Sequence, residues 1–239
     1  GLVSISSSQG LFESPMTSGG LGDTTFVAIT LAPFLSGIHE ITISLELDGD
    51  EDFSDNISTD TIKVRYPFGT VLINEFMSAP NNDQSEFVEL IAFENMDMAG
   101  WGISDNQQNP VTMSSLLVSN GDYIVLSSDS NIIDIVPDDV TFLTPSGFPS
   151  LNNTSDGIYL FDHTGSIIDS LNYDSNWELE SESSTEKRHP TFLSNNSENW
   201  GISDSENSLT PGFQNSIIIV SEDGMILTDI LSYSPLIPT

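Results

Sequence analysis

The 239-residue sequence contains no cysteine, which excludes disulfide staples and thiolate metal sites and leaves the redox compartment open. It has only four basic side chains, Lys63, Arg65, Lys187 and Arg188, against 36 acidic ones, for a formal net charge of -32. Nucleic-acid binders gain affinity when Lys and Arg displace phosphate counterions, so this chain repels a polyanion instead. DNA and RNA are therefore not expected as partners, and anionic membrane surfaces are disfavoured by the same sign. No apolar run approaches the roughly 18 residues of a membrane-spanning helix, so no membrane insertion is expected. The longest cluster is Ile217-Ile218-Ile219-Val220. With no initiator Met and no basic segment leading into an apolar one, the chain reads as a piece of a longer protein.

Catalytic signatures are also missing. The histidines, His39, His163 and His189, are isolated in sequence, and none has a second His four positions on, as a zincin helix requires. Gly102-Ile103-Ser104-Asp105 is followed by Asn106, so no Gly-x-Ser-x-Gly nucleophile turn forms, and no Gly-rich loop ending in Gly-Lys could cradle phosphate. Glu75, Glu86, Glu89 and Asp105 are the carboxylates one could assemble into an acid pair. Strand alternation, however, turns Glu75 and Glu89 away from their apolar neighbours, which predicts that both face solvent. The chain is expected not to be an enzyme.

What is present is β periodicity. Ile41, Ile43, Leu45 and Leu47 alternate with Thr42, Ser44, Glu46 and Asp48, the pattern of a half-buried antiparallel strand. After a turn at Asp48-Gly49, Ile62 and Val64 alternate again, completing a hairpin. Residues 1–20, rich in Ser and Gly, read as a linker or broken strand. Pro67 and Gly69 mark a boundary, and beyond it short strands recur at Val71, Phe87, Tyr123, Ile158 and Ile167, separated by turn signals such as Asn120-Gly121-Asp122. The prediction is an all-β chain: a partial β-module at 1–67, a β-sandwich at 68–216, and at 217–239 the start of a further truncated β-domain or tail.

The alternate acids Asp48, Asp50, Asp52 and Asp55 have the spacing of a calcium loop. Phe53 stands where an EF-hand has Gly, and Thr59 where it has Glu, which excludes that motif. The expectation is a solvated hairpin loop, with a low-affinity extracellular-type Ca²⁺ site as the alternative. No other cofactor is implied. Gly100, Gly157 and Gly165 are expected at positive φ in turns. Trp-Gly-Ile-Ser-Asp occurs at both 101–105 and 200–204, with flanks that do not extend the match.

From residue 71 to residue 216 an ordered series of signatures resembles the bacterial lamin-tail domain, a family with an immunoglobulin-like β-sandwich fold. Ile73-Asn74-Glu75 matches its opening strand, Glu86-Phe87-Val88-Glu89-Leu90 the second, and Gly100-Trp101 its Gly-Trp pair leading to Ser104-Asp105. Gly121-Asp122-Tyr123-Ile124-Val125-Leu126, Asp156-Gly157 with Ile158-Tyr159-Leu160-Phe161, and Ile168-Asp169-Ser170-Leu171 follow in order. Glu186-Lys187-Arg188 stands at the family's Glu-Arg element with an inserted Lys, and Asn199-Trp200 and Thr210-Pro211-Gly212 close the series. Upstream, Phe34 to His39, the strand after it and the acidic loop with Asn56 resemble the C-terminal half of CARDB-like adhesion modules.

The resemblance implies a non-catalytic binding or scaffolding module of a secreted or cell-surface bacterial protein, its partner an unidentified protein or surface glycan. An alternative is the accessory region of an extracellular nuclease or phosphatase whose catalytic domain lies elsewhere. The chromatin role of eukaryotic lamin tails does not transfer, because the basic surface it needs is absent.

Overall fold

The computed structural model describes residues 1–17, 19, 23–106 and 110–219. The chain folds as β1 (Leu2–Ser7), β2 (Gly10–Pro15), β3 (Gly37–Glu46) and β4 (Ile57–Val64), followed by β5 (Val71–Met77), β6 (Phe87–Ala92), β7 (Met96–Asp97), β8 (Gly102–Ser104), β9 (Val111–Thr112) and β10 (Leu117–Val118). Next come β11 (Tyr123–Ser127), β12 (Thr141–Leu143), β13 (Asp156–Phe161), β14 (Ile167–Tyr173), β15 (Thr185–Lys187) and β16 (Trp200–Ile202). No helix among the described residues is long and apolar enough to cross a membrane.

The first four strands form one antiparallel sheet in the order β2-β1-β3-β4. Residues 2–15 therefore form a paired hairpin rather than the linker or broken strand that their Ser and Gly content suggests. Val3 and Ile5 pair with Leu45 and Ile43 of β3, and Ser4 and Ser6 pair with Ser44 and Thr42. Serine weakens strand propensity, but a hairpin closed at Gly10, with φ of 123°, aligns both new strands on a strongly alternating template. This sheet is a single layer in which Ile41 alone is buried.

Residues 71–202 form an immunoglobulin-like β-sandwich. One sheet has six strands in the order β12-β11-β6-β5-β15-β16, and the facing sheet has four in the order β14-β13-β8-β9. Val71, Ile73, Val88, Leu90 and Ile124 of the first close against Ile103, Ile158, Leu160, Ile168 and Leu171 of the second. Trp101 and Trp200 lie in the same core. The two copies of the repeated pentapeptide thus contribute strands to opposite sheets, β8 and β16. Phe76 stacks on Tyr173 with centroids 5.0 Å apart and meets Trp200 edge-on at 5.6 Å, the tilted geometries that aromatic quadrupoles favour.

The boundary at Tyr66 to Gly69 is a packed junction. The Tyr66 N–H donates to Asp162 Oδ2 at 2.9 Å, and its ring lies 5.2 Å from Trp101 and 5.8 Å from His163. His39 and His163, far apart in sequence, approach here. Burial holds the His163 imidazole below its ordinary range, opposed by Asp162 and reinforced by Lys63 and His39. Of the glycines expected at positive φ, Gly100 and Gly165 take it but Gly157 does not. Gly157 sits in β13, where a Cβ would lie 2.5 Å from Asn106 Oδ1 and 2.8 Å from Asn172 Oδ1, so close approach is what requires glycine.

Beyond Ile202 the chain crosses the outer face of the six-stranded sheet. Leu209 joins a second apolar cluster there with Met77, Phe87, Val125, Ile132 and Val136. Residues 217–219 form no strand, although Ile219 N–H donates to Arg188 O at 2.8 Å. The rest of the expected terminal β-segment, 220–239, lies outside the described residues.

Candidate functional site

Three neighbouring strands place three glutamates in one row. Glu186 of β15 is the Cα partner of Glu75 in β5, and Glu75 is the partner of Glu89 in β6. All three are completely buried, at 0% exposure. Strand alternation correctly turns Glu75 and Glu89 away from the sandwich core, but the face they reach is covered, so the expectation of solvent exposure is wrong. A bulge between Ile73 and Glu75 lets both Asn74 and Glu75 engage the covering segment.

The cover is Thr210 to Ile217. Thr210 N–H donates to Glu75 Oε1 at 2.8 Å, and Gly212 N–H to Glu89 Oε2 at 2.5 Å. Ser216 N–H and Oγ–H donate to Glu186 Oε2 at 2.6 and 2.8 Å, and Ile217 N–H approaches it at 3.3 Å. Asn74 Nδ2 bridges Glu89 Oε1 and Asn215 Oδ1, both at 2.8 Å, while Asn215 Nδ2 returns bonds to Asn74 O and Lys187 O. The Thr-Pro-Gly sequence makes this possible. Phe213 N–H donates to Thr210 O at 2.9 Å, closing a turn with Pro211 at its second position and Gly212, φ 84°, at its third, which is the type II requirement.

Among the described residues no cation pairs with the row. Burial pushes Glu75 up to about 7, against hydrogen bonds from Ser184 and Thr210 that lower it. Burial, with Glu75 as a like-charged neighbour, pushes Glu89 well above the carboxylate range. The cation adjacent in sequence, Lys187, serves a different cluster. Its Nζ donates to Ser194 Oγ at 2.6 Å, and Ser194 donates to Asp169 Oδ2 at 2.5 Å. Asp169 also accepts Ile73 N–H at 2.8 Å, tying β14 to β5 across the two sheets. Burial brings the lysine down to about 8 and the aspartate up, the latter opposed by Lys187. The ammonium lies 5.4 Å from the Trp200 ring centroid. A serine beside a depressed lysine resembles a catalytic dyad, but Lys187, Ser194 and Asp169 are all buried and Ser194 spends its proton on Asp169.

The four carboxylates considered from sequence do not assemble. Glu75 and Glu89 come together, but with Glu186, which strand alternation did not single out. Glu86 is half-buried beside Ser150 and Leu151, raised mainly by burial, and Asp105 is buried at the end of β8. Thr210 was visible only as a member of the Thr210-Pro211-Gly212 motif, with no signal of what it binds, and nothing singled out Ser194 or Asn215.

Asp48, Asp50, Asp52 and Asp55 lie in the β3–β4 loop, where Asp50 and Asp52 bind the loop's own donors. Asp50 accepts Asp52 N–H at 3.0 Å and Asn56 Nδ2 at 2.8 Å. Asp52 accepts Ser54 N–H at 3.0 Å and Oγ–H at 2.6 Å, and these bonds hold its carboxyl below the usual range. Among the described residues no group of three His, Cys, Asp or Glu is placed to hold a metal ion. A shallow surface depression of about 470 Å³, at the ends of the parallel pair β11 and β12, is lined by Ser128, Asp129, Ser130, Thr144, Ser146 and Phe148, with one carboxylate in place of a catalytic pair.

Among curated proteins none matches this chain. Residues 65–175 match the sequence model of the Lamin Tail Domain, a stretch that runs from the junction through β14 and stops short of β15, β16 and the covering segment. With the sandwich topology and the buried signature residues in view, this part of the chain is similar to a lamin-tail-type immunoglobulin-like domain.

Proposed function

We propose that the protein is a non-catalytic interaction module of a secreted or cell-surface bacterial protein. The observation that carries this reading is the fate of its polar signature residues. Asn74, Glu75, Glu89, Asp169, Glu186 and Thr210 spend their hydrogen bonds on each other and on the backbone, inside the fold. What the domain offers a partner is its exterior, dominated by carboxylates. That surface favours a cationic protein or a neutral glycan over a polyanion. The hydroxyl-lined depression beside Phe148 supports the glycan, since sugars are read by hydroxyl and aromatic groups. Nothing in the geometry of the Asp48 to Asp55 loop favours a Ca²⁺-dependent version.

Assays with generic phosphomonoester, phosphodiester and peptide substrates test the claim. No turnover is expected, and turnover abolished by a single carboxylate substitution overturns it.

A further inference from the structure

Thr210 Oγ1 lies 3.0 Å from Glu75 Oε2 and 2.9 Å from Glu186 Oε1. A hydroxyl has one proton and can donate to only one of two carboxylates. The other contact is a hydrogen bond only if that carboxyl itself carries a proton. Glu75 Oε1 already accepts Thr210 N–H, and Glu186 Oε2 already accepts three donors from Ser216 and Ile217. The consistent assignment is a protonated Glu75 that donates from Oε2 to Thr210, which in turn donates to Glu186. The proton is thus a structural part of the contact that holds the segment down.

We infer that residues 210–217 form a proton-gated strap, held on the sandwich while Glu75 of the buried glutamate row retains its proton and loosened when that proton is lost. Deprotonation leaves the Thr210 hydroxyl with two acceptors and one hydrogen, and adds a further uncompensated charge to a fully buried row. Among the described residues, the charged or titratable groups facing the row are carboxyls and a tyrosine. Glu75, Glu89 and Glu186 come from β5, β6 and β15. Tyr123 of β11, raised mainly by its own burial, feels Glu89 and Glu75. The strap itself has no charged side chain, and the loop that packs on Gly212 through Pro137 and Val140 carries exposed Asp138 and Asp139. Lys187 points to Asp169 and owes no part of its shift to the row.

Loosening has a defined consequence. Leu209 immediately precedes the strap, so release of the strap loosens the cover over the apolar cluster of Met77, Phe87 and Val125 on the outer face. The gate operates around the value of about 7 to which burial has moved Glu75. This inference does not depend on the interaction reading above.

Hydrogen exchange of the full chain tests it, with rates corrected for intrinsic pH dependence and peptides of β13 and β14 as the internal control. Between about pH 5.5 and 8.5 the 208–219 peptides of the wild type are expected to lose about tenfold or more in protection, the scale of one pKa unit, while the control stays constant. Glu75→Gln supplies an amide that donates to Thr210 Oγ1 at any pH, and its strap is expected to stay protected at both. Thr210→Val removes the relay and is expected to show low strap protection at both, with the control peptides intact. Equal wild-type strap protection at the two pH values, or a Glu75→Gln strap that loosens as the wild type does, overturns the proposal.

Discussion

Glu75 and Glu89 are direct cross-strand partners on β5 and β6, and both are completely buried. Like charges directly opposite in a sheet destabilise it, and burial amplifies the cost. The pair is tolerated because its range is raised and because a segment more than a hundred residues away supplies its donors.

The pair predicts a particular pH dependence of stability. In the unfolded chain Glu75 releases its proton near the ordinary 4.5, and in the folded chain near 7. Between these values the native state binds the additional proton, so stability falls as pH rises. The contribution is complete below about 4.5 and lost as pH passes through about 7. Urea midpoints taken from about pH 4.5 to 8 are expected to decline less steeply for Glu75→Gln than for the wild type, a difference that removes the general self-repulsion common to both.

Gly212→Ala probes the turn that presents the strap. The residue has φ of 84°, and a Cβ would sit 2.7 Å from Pro137 Cδ and 3.1 Å from Val140 Cγ2. Strain and overpacking together predict a loss of about 1–3 kcal/mol, measured by urea unfolding. Gly121→Ala, at φ 94° with open space around it, is expected to cost less.

How much of this was legible follows from what period-2 alternation encodes. It reports which side of a strand a residue is on, and so it correctly set Glu89 on the opposite side of β6 from the core residues Val88 and Leu90. It says nothing about whether the other side is covered. Glu75 and Glu89 were misread for that reason, because the strap that buries them returns from residues 210–217. Gly157 was misread because a β-strand glycine packed against Asn106 and Asn172 looks the same in sequence as a turn glycine. In β1 and β2 the Ser content hid strands whose order comes from pairing with β3.

The Lys187–Ser194–Asp169 cluster predicts strong coupling. Lys187→Met leaves a buried carboxyl without its cation and is expected to cost about 3–5 kcal/mol. Adding Asp169→Asn is expected to recover much of that loss. A double-mutant cycle by urea denaturation measures the interaction energy directly.

Trp101 and Trp200 separate packing from hydrogen bonding. Trp200 Nε1–H donates to Ser194 O at 2.8 Å, whereas Trp101 Nε1–H is buried with no hydrogen-bond partner among the described residues. Both lose volume on substitution by Phe, but only Trp200→Phe also strands a carbonyl. It is expected to be the more destabilising by about 1 kcal/mol, read from the difference in unfolding free energies.

The central claim is that Glu75 and Glu89 are interior, proton-holding parts of the fold. A carbon-detected NMR titration of the Glu75 and Glu89 side-chain carboxyls tests this most directly. Glu75 is expected to titrate near 7 and Glu89 well above the ordinary range; two midpoints at the 4.5 of a solvated glutamate would contradict the account.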